Sequence, residues 1–267
     1  MPILNALEAA SDQGVSDPYA ALKQALEDTR SAWYDAGRNT FDYRGFGRSA
    51  EHVALSAASA ALGDFACERL GIGKRLPFWL NAYNALVLQA VVAREAAGVG
   101  RLDKDFFVES KFVISGHEFS LDDIEHGLIR INAPRFFAMR KQMPEGDLRL
   151  AFAPLVFDER AHFALHSACR SSPRLRVYGK DSLAAALEVA ACDYVRDHAS
   201  VEDGGATLRV PKIFQWYESD FGGKEGVRAF VINRLERAED IEALDRRGGR
   251  CTLRHLDFDW TLNASAS

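Results

Sequence analysis

The side chains best suited to covalent chemistry are concentrated in one stretch, HFALHSACRSSPRLRVY, residues 162–178. Within eleven positions it contains two imidazoles, three hydroxyls and a thiol: His162, His166, Ser167, Cys169, Ser171 and Ser172. A serine or cysteine beside a histidine can carry out nucleophilic acyl transfer, because the histidine takes the proton from the attacking group. The stretch therefore predicts either a reaction centre or a buried strand that runs into a solvated turn.

The pattern of residues 162–167 favours a strand, and this limits which side chains can cooperate. His162 and His166 would share one face and Ser167 would lie on the other. At about 3.3 Å per residue the two imidazoles would be roughly 13 Å apart, so they could not bind one metal ion. We expect no metal site. The base for Ser167 must then be His126, or His162 brought round by a bend in the strand.

Further candidates are a thiol and a pair of titratable neighbours on a predicted helix. Cys169 is the second candidate nucleophile, although a lone cysteine is more often an inert apolar side chain. Glu125 and His126 are adjacent, and adjacent helical residues point about 100° apart. Each would therefore need a partner from elsewhere in the chain if it had a catalytic role.

Two carboxamides in the apolar helix sequence WLNAYNALVL must also be explained. Asn81 and Asn84 are three residues apart and share a helix face, so both are expected to be buried. Their hydrogen-bonding atoms need partners, which are either a neighbouring loop or a substrate amide or oxyanion. Arg160 follows Asp158 closely, and these two predict a surface ion pair at a strand end.

Composition excludes several functional classes. The net charge is −5 and the pI is about 5.8, which gives no general attraction to nucleic acid or to anionic lipid. The four cysteines form no C-x-x-C pair, so a zinc ribbon or a thioredoxin-type site is not indicated. The N-terminal residues do not resemble a secretory signal, and no apolar run is long enough for a membrane span. We expect a cytoplasmic protein.

The order of the predicted elements favours a helix-rich α+β protein with a small antiparallel sheet and one domain, residues 1–267. Its first 75 residues form a helical region, and residues 76–263 form the core. Helix patterns and caps predict helices at 18–33 after Asp17, 51–71, 77–98 after Pro77, 120–129 after Ser120, 181–199 with Asp181 as cap, a helix ending at Gly222, and 227–236. Alternating or apolar runs predict a hairpin at 111–120 and strands at 148–155, 162–168, 204–210 and 251–263.

Five segments together resemble one known family. They are WLNAYNAL, FSLDDIEHGLIR, DERAHFALHSACRSSP, VPKIFQWYESDFG and DFDWTLN, and they occur in the order found in the domain-of-unknown-function 547 family. The resemblance implies a papain- or transglutaminase-like core with a Cys, His and carboxylate constellation. Glu125, His126 and His162 match the family's motif positions, and Asn81, Tyr83 and Asn84 match its helix signature. Family members usually carry cysteine where this chain has Ser167 and Ser172.

These observations support two hypotheses. The first is an amide- or thioester-directed hydrolase or acyltransferase without a cofactor. Its catalytic candidates are Ser167, Cys169, His126, His162 and Glu125. Its substrate-binding candidates are Trp79, Asn81, Tyr83, Asn84 and Arg160. The alternative is a catalytically inactive binding module that keeps a cleft for a peptide or small metabolite. In either case the partner is a peptide or small molecule, with no nucleic acid and no membrane.

Overall fold

The computed structural model describes residues 3–5, 17–95, 100–134 and 140–265. Its α-helices are α1 (Pro18–Trp33), α2 (Tyr43–Phe46), α3 (Ala50–Ala60), α4 (Ile72–Glu95), α5 (Lys104–Glu109), α6 (Leu183–His198), α7 (Ile213–Trp216), α8 (Gly223–Ile232) and α9 (Ala238–Asp245). Its strands are β1 (Tyr34–Asp35), β2 (Thr40–Phe41), β3 (Lys111–Ile114), β4 (His117–Ser120), β5 (Ser200–Glu202), β6 (Thr207–Val210) and β7 (Thr252–His255). This is a helix-rich α+β fold, as predicted. In place of the predicted single small antiparallel sheet, the described residues form three small sheets, one of which includes a parallel pair.

Two helix starts follow local capping rules. The side chain of Asp17 accepts a hydrogen bond from the amide of Ala20 at 3.1 Å, and Pro18 occupies the first turn of α1. Ser49 caps α3 in the same way through the amide of His52. The predicted cap of α6 was wrong, because Ser182 and not Asp181 precedes that helix.

Helix α4 is the centre of the fold. It begins five residues before Pro77, so the prediction that Pro77 opens it was wrong, and its predicted end at Gly98 lies outside the described residues. Residues 77–91 are buried without exception. By length and composition α4 could cross a membrane, but 83% of its most apolar window is buried inside the protein. It is therefore packed as a core helix here.

The sheets are short and mostly antiparallel. Strands β3 and β4 form the predicted hairpin, with Phe112 opposite Phe119. Its two turn residues, Ser115 and Gly116, both have positive φ (53° and 70°), which matches the twist of a two-residue hairpin turn. Strand β6 pairs antiparallel with β5 and parallel with β7, and β1 pairs with β2.

Neither of the strands predicted at 148–155 and 162–168 forms. Leu148–Phe152 is a 3₁₀ helix, and the 3₁₀ helix Glu159–Phe163 includes the start of the second predicted strand. Each 3₁₀ helix begins after an aspartate whose side chain accepts a hydrogen bond from the amide two residues later. The amide of Arg149 donates to Asp147, and that of Arg160 donates to Asp158. Such a bond starts a turn and competes with extended structure. The 13 Å separation inferred for two histidines on a strand therefore does not apply.

The apolar side chains pack into two clusters. The larger surrounds α4 with side chains from α1, α3 and the β3–β4 hairpin. The smaller is formed mainly by α6, α8 and β6, and it includes Phe163. Phe258, in the segment after β7, packs against both. That segment was predicted as one long strand from 251 to 263, but only Thr252–His255 is extended in a sheet.

Candidate functional site

A cavity of about 630 Å³ lies where side chains of the two clusters meet. Its lining includes an aromatic set and a titratable set, which we call the aromatic side and the titratable side. The aromatic side consists of Phe107, Trp216, Phe258 and Trp260. The titratable side consists of Tyr83, Asp122, Glu125, His126, His162 and Tyr217. Ser167, Lys104 and Lys212 also line the cavity. A concave site with an apolar body and a few convergent polar groups is the usual form of a ligand-binding pocket.

A π-helix, Asp123–Ile129, brings the acidic and basic groups of FSLDDIEHGLIR to the cavity. Its start is fixed by the predicted cap, in which Ser120 Oγ accepts from the amide of Asp123 at 3.0 Å and the carboxylate of Asp123 accepts from the amide of Ser120 at 3.1 Å. Further along, the amide of Arg130 donates to the carbonyl of Glu125, five residues back. π-Helical turns are rare and are found frequently at functional sites.

Glu125 holds two phenols at the cavity wall. Tyr217 donates to Oε1 of Glu125 at 2.5 Å, and Tyr83 donates to Oε2 at 3.4 Å. Burial and then the negative charge of Glu125 raise the pKa of both tyrosines well above the usual value. Both phenols therefore stay protonated and serve as donors. Glu125 makes no hydrogen bond to a histidine among the described residues.

The carboxylate that does contact a histidine belongs to Asp220. Nε2 of His162 lies 2.9 Å from Oδ2 of Asp220. Arg130 binds the same carboxylate with two bonds, Nε to Oδ2 at 2.7 Å and Nη2 to Oδ1 at 2.9 Å. Burial alone would raise the pKa of Asp220, but the hydrogen bonds from His162 and Arg130 hold it well below its usual range. Asp220 is therefore a carboxylate that accepts from both neighbours.

The partners fix the tautomer of each histidine at the cavity. Since Asp220 accepts, His162 carries its proton on Nε2, and burial lowers its pKa, so the ring is neutral with a lone pair on Nδ1. The ring of Tyr217 stacks on His162, with centroids 4.0 Å apart. Nδ1 of His126 lies 3.1 Å from Nη1 of Arg130, which can only donate. His126 therefore carries its proton on Nε2, the atom 3.8 Å from Asp122.

Of the predicted catalytic residues, Cys169 alone lies outside the cavity lining. Its side chain is completely buried, and its thiol lies 3.3 Å from the carbonyl oxygen of Ser167. Burial raises the pKa of Cys169 to about 12, so the thiol is protonated at neutral pH. This environment does not favour Cys169 as a nucleophile, because the thiolate is the reactive form. Ser167, His126, His162 and Glu125 do line one cavity.

The two carboxamides of α4 clamp a loop instead of facing the cavity. Asn81 exchanges two hydrogen bonds of 2.8 Å with the backbone of Tyr178. Asn84 donates to the carbonyls of Ala164 and Arg176 and accepts from the amide of His166. The expected partner of these two carboxamides was either a neighbouring loop or a substrate, and the structure shows the loop.

Of the other predicted substrate-binding residues, two lie away from the cavity and one lines it. Trp79 is buried and donates to the carbonyl of Phe152 at 2.9 Å. Arg160 forms ion pairs with Asp158 and Glu188 away from the cavity. Tyr83 is the one member of that predicted set that lines the cavity.

A second histidine environment, which we call the sealed cluster, consists of Asn84, His166, Ser172, Pro173 and Asn263. Nδ1 of His166 lies 2.7 Å from the carbonyl of Pro173, so this nitrogen carries the proton. Ser172 Oγ is 3.1 Å from the same nitrogen, and Nδ2 of Asn263 is 3.4 Å from Nε2. Burial lowers the pKa of His166 to about 4. The imidazole and the hydroxyl are fully buried.

Sequence reasoning missed Arg130, Asp220, Tyr217 and Asp122. Each stands inside a quoted segment, the first and last in FSLDDIEHGLIR and the others in VPKIFQWYESDFG. Their presence in those segments was the available signal. Neither segment shows, however, that Arg130 meets Asp220 across 90 residues. Among the described residues, no group of three or more His, Cys, Asp or Glu side chains is placed to hold a metal ion.

Comparison with known proteins covers the first three of the five segments, and the segments at 210–222 and 257–263 lie outside the matched residues. Residues 68–195, a little under half of the chain, match the family model DUF547, "Protein of unknown function". This match supports membership of that family. No curated protein and no solved structure matches the chain.

Proposed function

We propose that the cavity is the active site of a hydrolase or acyltransferase that acts on an amide or thioester. One observation carries the proposal: His162, held at Nε2 by Asp220 at 2.9 Å, lines the same cavity as Ser167. An imidazole fixed by a carboxylate and neutral at its other nitrogen has the arrangement of a general base. Ser167 is the nucleophile, since Cys169 is buried and protonated.

The reaction follows from these protonation states. Nδ1 of His162 accepts the proton of Ser167 Oγ as this oxygen attacks the carbonyl carbon of the substrate. The carbon–nitrogen or carbon–sulfur bond then breaks, and the proton on Nδ1 passes to the leaving amine or thiol. Water, or an acceptor in acyl transfer, attacks the resulting acyl-serine in the same way and releases the acid or the transferred acyl group. Serine and His162 return to their starting states.

The remaining polar groups act as positioning residues. Glu125 holds the hydroxyl of Tyr217, whose ring stacks on His162, so it acts on the imidazole through this ring. Arg130 contacts both His126 and Asp220 and therefore fixes the distance between the π-helix and the segment around residue 220. Its positive charge also helps to keep His162 neutral until the reaction.

A binding module remains the alternative, and a specific observation favours it. Within the part of the chain that the structure describes, no hydrogen bond joins Ser167 Oγ to an imidazole. A serine hydroxyl needs a well-placed base, whereas a cysteine thiolate forms more readily near neutral pH. A cavity that binds an amide without cleaving it would keep the same walls and the same charged network.

Two variants of one position separate the alternatives. A fluorophosphonate probe should label the wild type at Ser167, and Ser167→Ala should abolish the label. Ser171→Ala is the matched control, since the hydroxyl of Ser171 accepts from the amide of Asp259 at 2.8 Å and lies outside the cavity lining. Folding of each variant is checked by thermal denaturation.

The second variant, Ser167→Cys, restores the residue that the family resemblance implies. If His162 serves this position, iodoacetamide should alkylate the new thiol near pH 6.5, and His162→Gln in the same background should slow the reaction at least tenfold. Absence of labelling in wild type and a slow, unchanged thiol in both cysteine variants would support the binding module. A papain- or transglutaminase-like core is part of the enzyme proposal.

A further inference from the structure

The aromatic side of the cavity is a continuous surface of four rings. Trp216 stacks on Trp260 with centroids 5.5 Å apart, and Phe258 contacts both at 5.1 and 4.5 Å. Phe107 extends the surface next to Trp260. The two tryptophans and Phe258 are only half-buried, so they keep apolar area open to the cavity. A ligand that covers this area must have an apolar body.

Two cations lie on the same cavity. Lys104, at the start of α5, is exposed, so it stands where the cavity meets solvent. Lys212, just before α7, is half-buried. Among the described residues neither ammonium has a carboxylate within 4 Å, although the protein carries a net negative charge. Two carboxylates also line the cavity: Glu125 is bonded to two phenols, and Asp122 lies 3.8 Å from Nε2 of His126.

We infer that the cavity takes amphipathic anions, that is, acyl compounds with an apolar body and a carboxylate or phosphate group. The apolar body lies on the rings of Phe107, Trp216, Phe258 and Trp260, and the anionic group lies against Lys104 and Lys212. This names the substrate class for the proposed function and uses the same cavity.

A matched pair of fluorescent probes tests this class without turnover. 8-Anilinonaphthalene-1-sulfonate is an aromatic anion, and N-phenyl-1-naphthylamine has the same ring system without the charge. Both are titrated into folded Ser167→Ala protein, in which the proposed reaction is blocked. We expect the anion to bind more tightly, by roughly tenfold at low salt, and this preference to fall as salt is added.

Substitutions assign the preference to the two lysines. Lys104→Gln and Lys212→Gln should each lower the affinity for the anionic probe by about threefold, and the double variant should lower it by about tenfold. The affinity for the neutral probe should not change. Lys180→Gln is the control, since this exposed lysine lies outside the cavity lining. Equal affinity for both probes, or no change in the double variant, would overturn the inference.

Competition then distinguishes the two anionic groups. Decanoate, decyl phosphate and the neutral decanol are each used to displace the anionic probe. Stronger displacement by decanoate or by decyl phosphate than by decanol supports the inference and identifies the group. Displacement by decanol as strong as by both anions contradicts it. Because binding is measured with Ser167→Ala, a failed labelling experiment on Ser167 leaves this result standing, and the reverse is also true.

Discussion

His162 and His166 are four residues apart, and their surroundings differ in almost every respect. His162 is held by a side-chain carboxylate and a stacked phenol at the edge of a cavity, together with a half-buried serine. His166 is held by a backbone carbonyl, a buried hydroxyl and a carboxamide in the sealed cluster. The same side chain therefore has an architectural role at His166 and, in the function we propose, a chemical role at His162. The hydrogen-bond partners of a histidine and its access to the cavity decide its role, and the residue type alone does not.

The largest effect is expected on the architectural side, from Asn84→Leu. The leucine fits the volume but removes the partner of the buried carbonyl of Ala164, the buried amide of His166 and the part-buried carbonyl of Arg176. Each such group costs roughly 1–3 kcal/mol, so the free energy of unfolding should fall by about 3 kcal/mol or more. Urea denaturation followed by circular dichroism measures the change.

Two controls sharpen this result. Asn233→Leu replaces an exposed carboxamide and should change stability by less than about 0.5 kcal/mol. Ser167→Ala removes a hydroxyl at the cavity and should be similarly mild, within about 0.5 kcal/mol. Equal losses of unfolding free energy in Asn84→Leu and Ser167→Ala would contradict the distinction between the two regions.

The next effect is a dependence of stability on pH that arises in the sealed cluster. The pKa of His166 is about 4 in the folded state and about 6.5 when unfolded, so between these values the unfolded chain binds more protons. Stability is therefore complete above pH 6.5 and declines as the pH falls toward 4, by roughly 3 kcal/mol. His162, whose pKa is also lowered by burial, adds to the decline in the same direction.

Unfolding free energies at pH 7.5, 6.5, 5.5 and 4.5 measure this dependence. His166→Gln should flatten the profile, because the substituted side chain no longer titrates, even if it lowers stability at every pH. A wild-type profile that stays level from pH 6.5 to 4.5 would show that His166 is open to solvent.

The smallest effect concerns thiol labelling. Burial raises the pKa of Cys169 and of Cys67 to about 12, whereas Cys192 is half-buried with a smaller rise. Iodoacetamide at pH 8 should therefore modify Cys192 first and leave Cys169 unmodified in the folded protein. Peptide mapping scores the sites, and unfolded protein, in which all thiols react, is the control. Rapid labelling of Cys169 near pH 6.5 would return it to the list of nucleophiles.

The parts of the fold that the sequence predicts correctly depend on local rules. The cap at Asp17, the cap at Ser120 and the hairpin turn at Ser115-Gly116 act over a few residues, so a short window contains all the information. The two strands that became 3₁₀ helices failed for a related reason. Apolar runs of that length do not distinguish a strand from another buried segment, and the aspartate before each run decided the outcome.

The candidate site is only partly predictable for a different reason. Residue types identify Ser167, Glu125 and the histidines, but not which carboxylate meets which imidazole. The contact of His162 with Asp220 spans 58 residues, and no local pattern predicts it. The π-helix is similarly hidden, since one added residue per turn leaves no periodic signal in so short a segment.

The position of residues 258–263 in the sequence affects when the cavity can form during synthesis. Phe258 and Trp260 form part of the cavity wall, and the residues around them are tied to distant parts of the chain by backbone bonds. The amide of Leu102 donates to Trp260, and Asn263 bonds to both Ala168 and Phe41. A nascent chain that has all its catalytic candidates outside the ribosome, but not these residues, still lacks a wall of its pocket. Synthesis thus completes the cavity only after the reactive groups at residues 125–169 have been made.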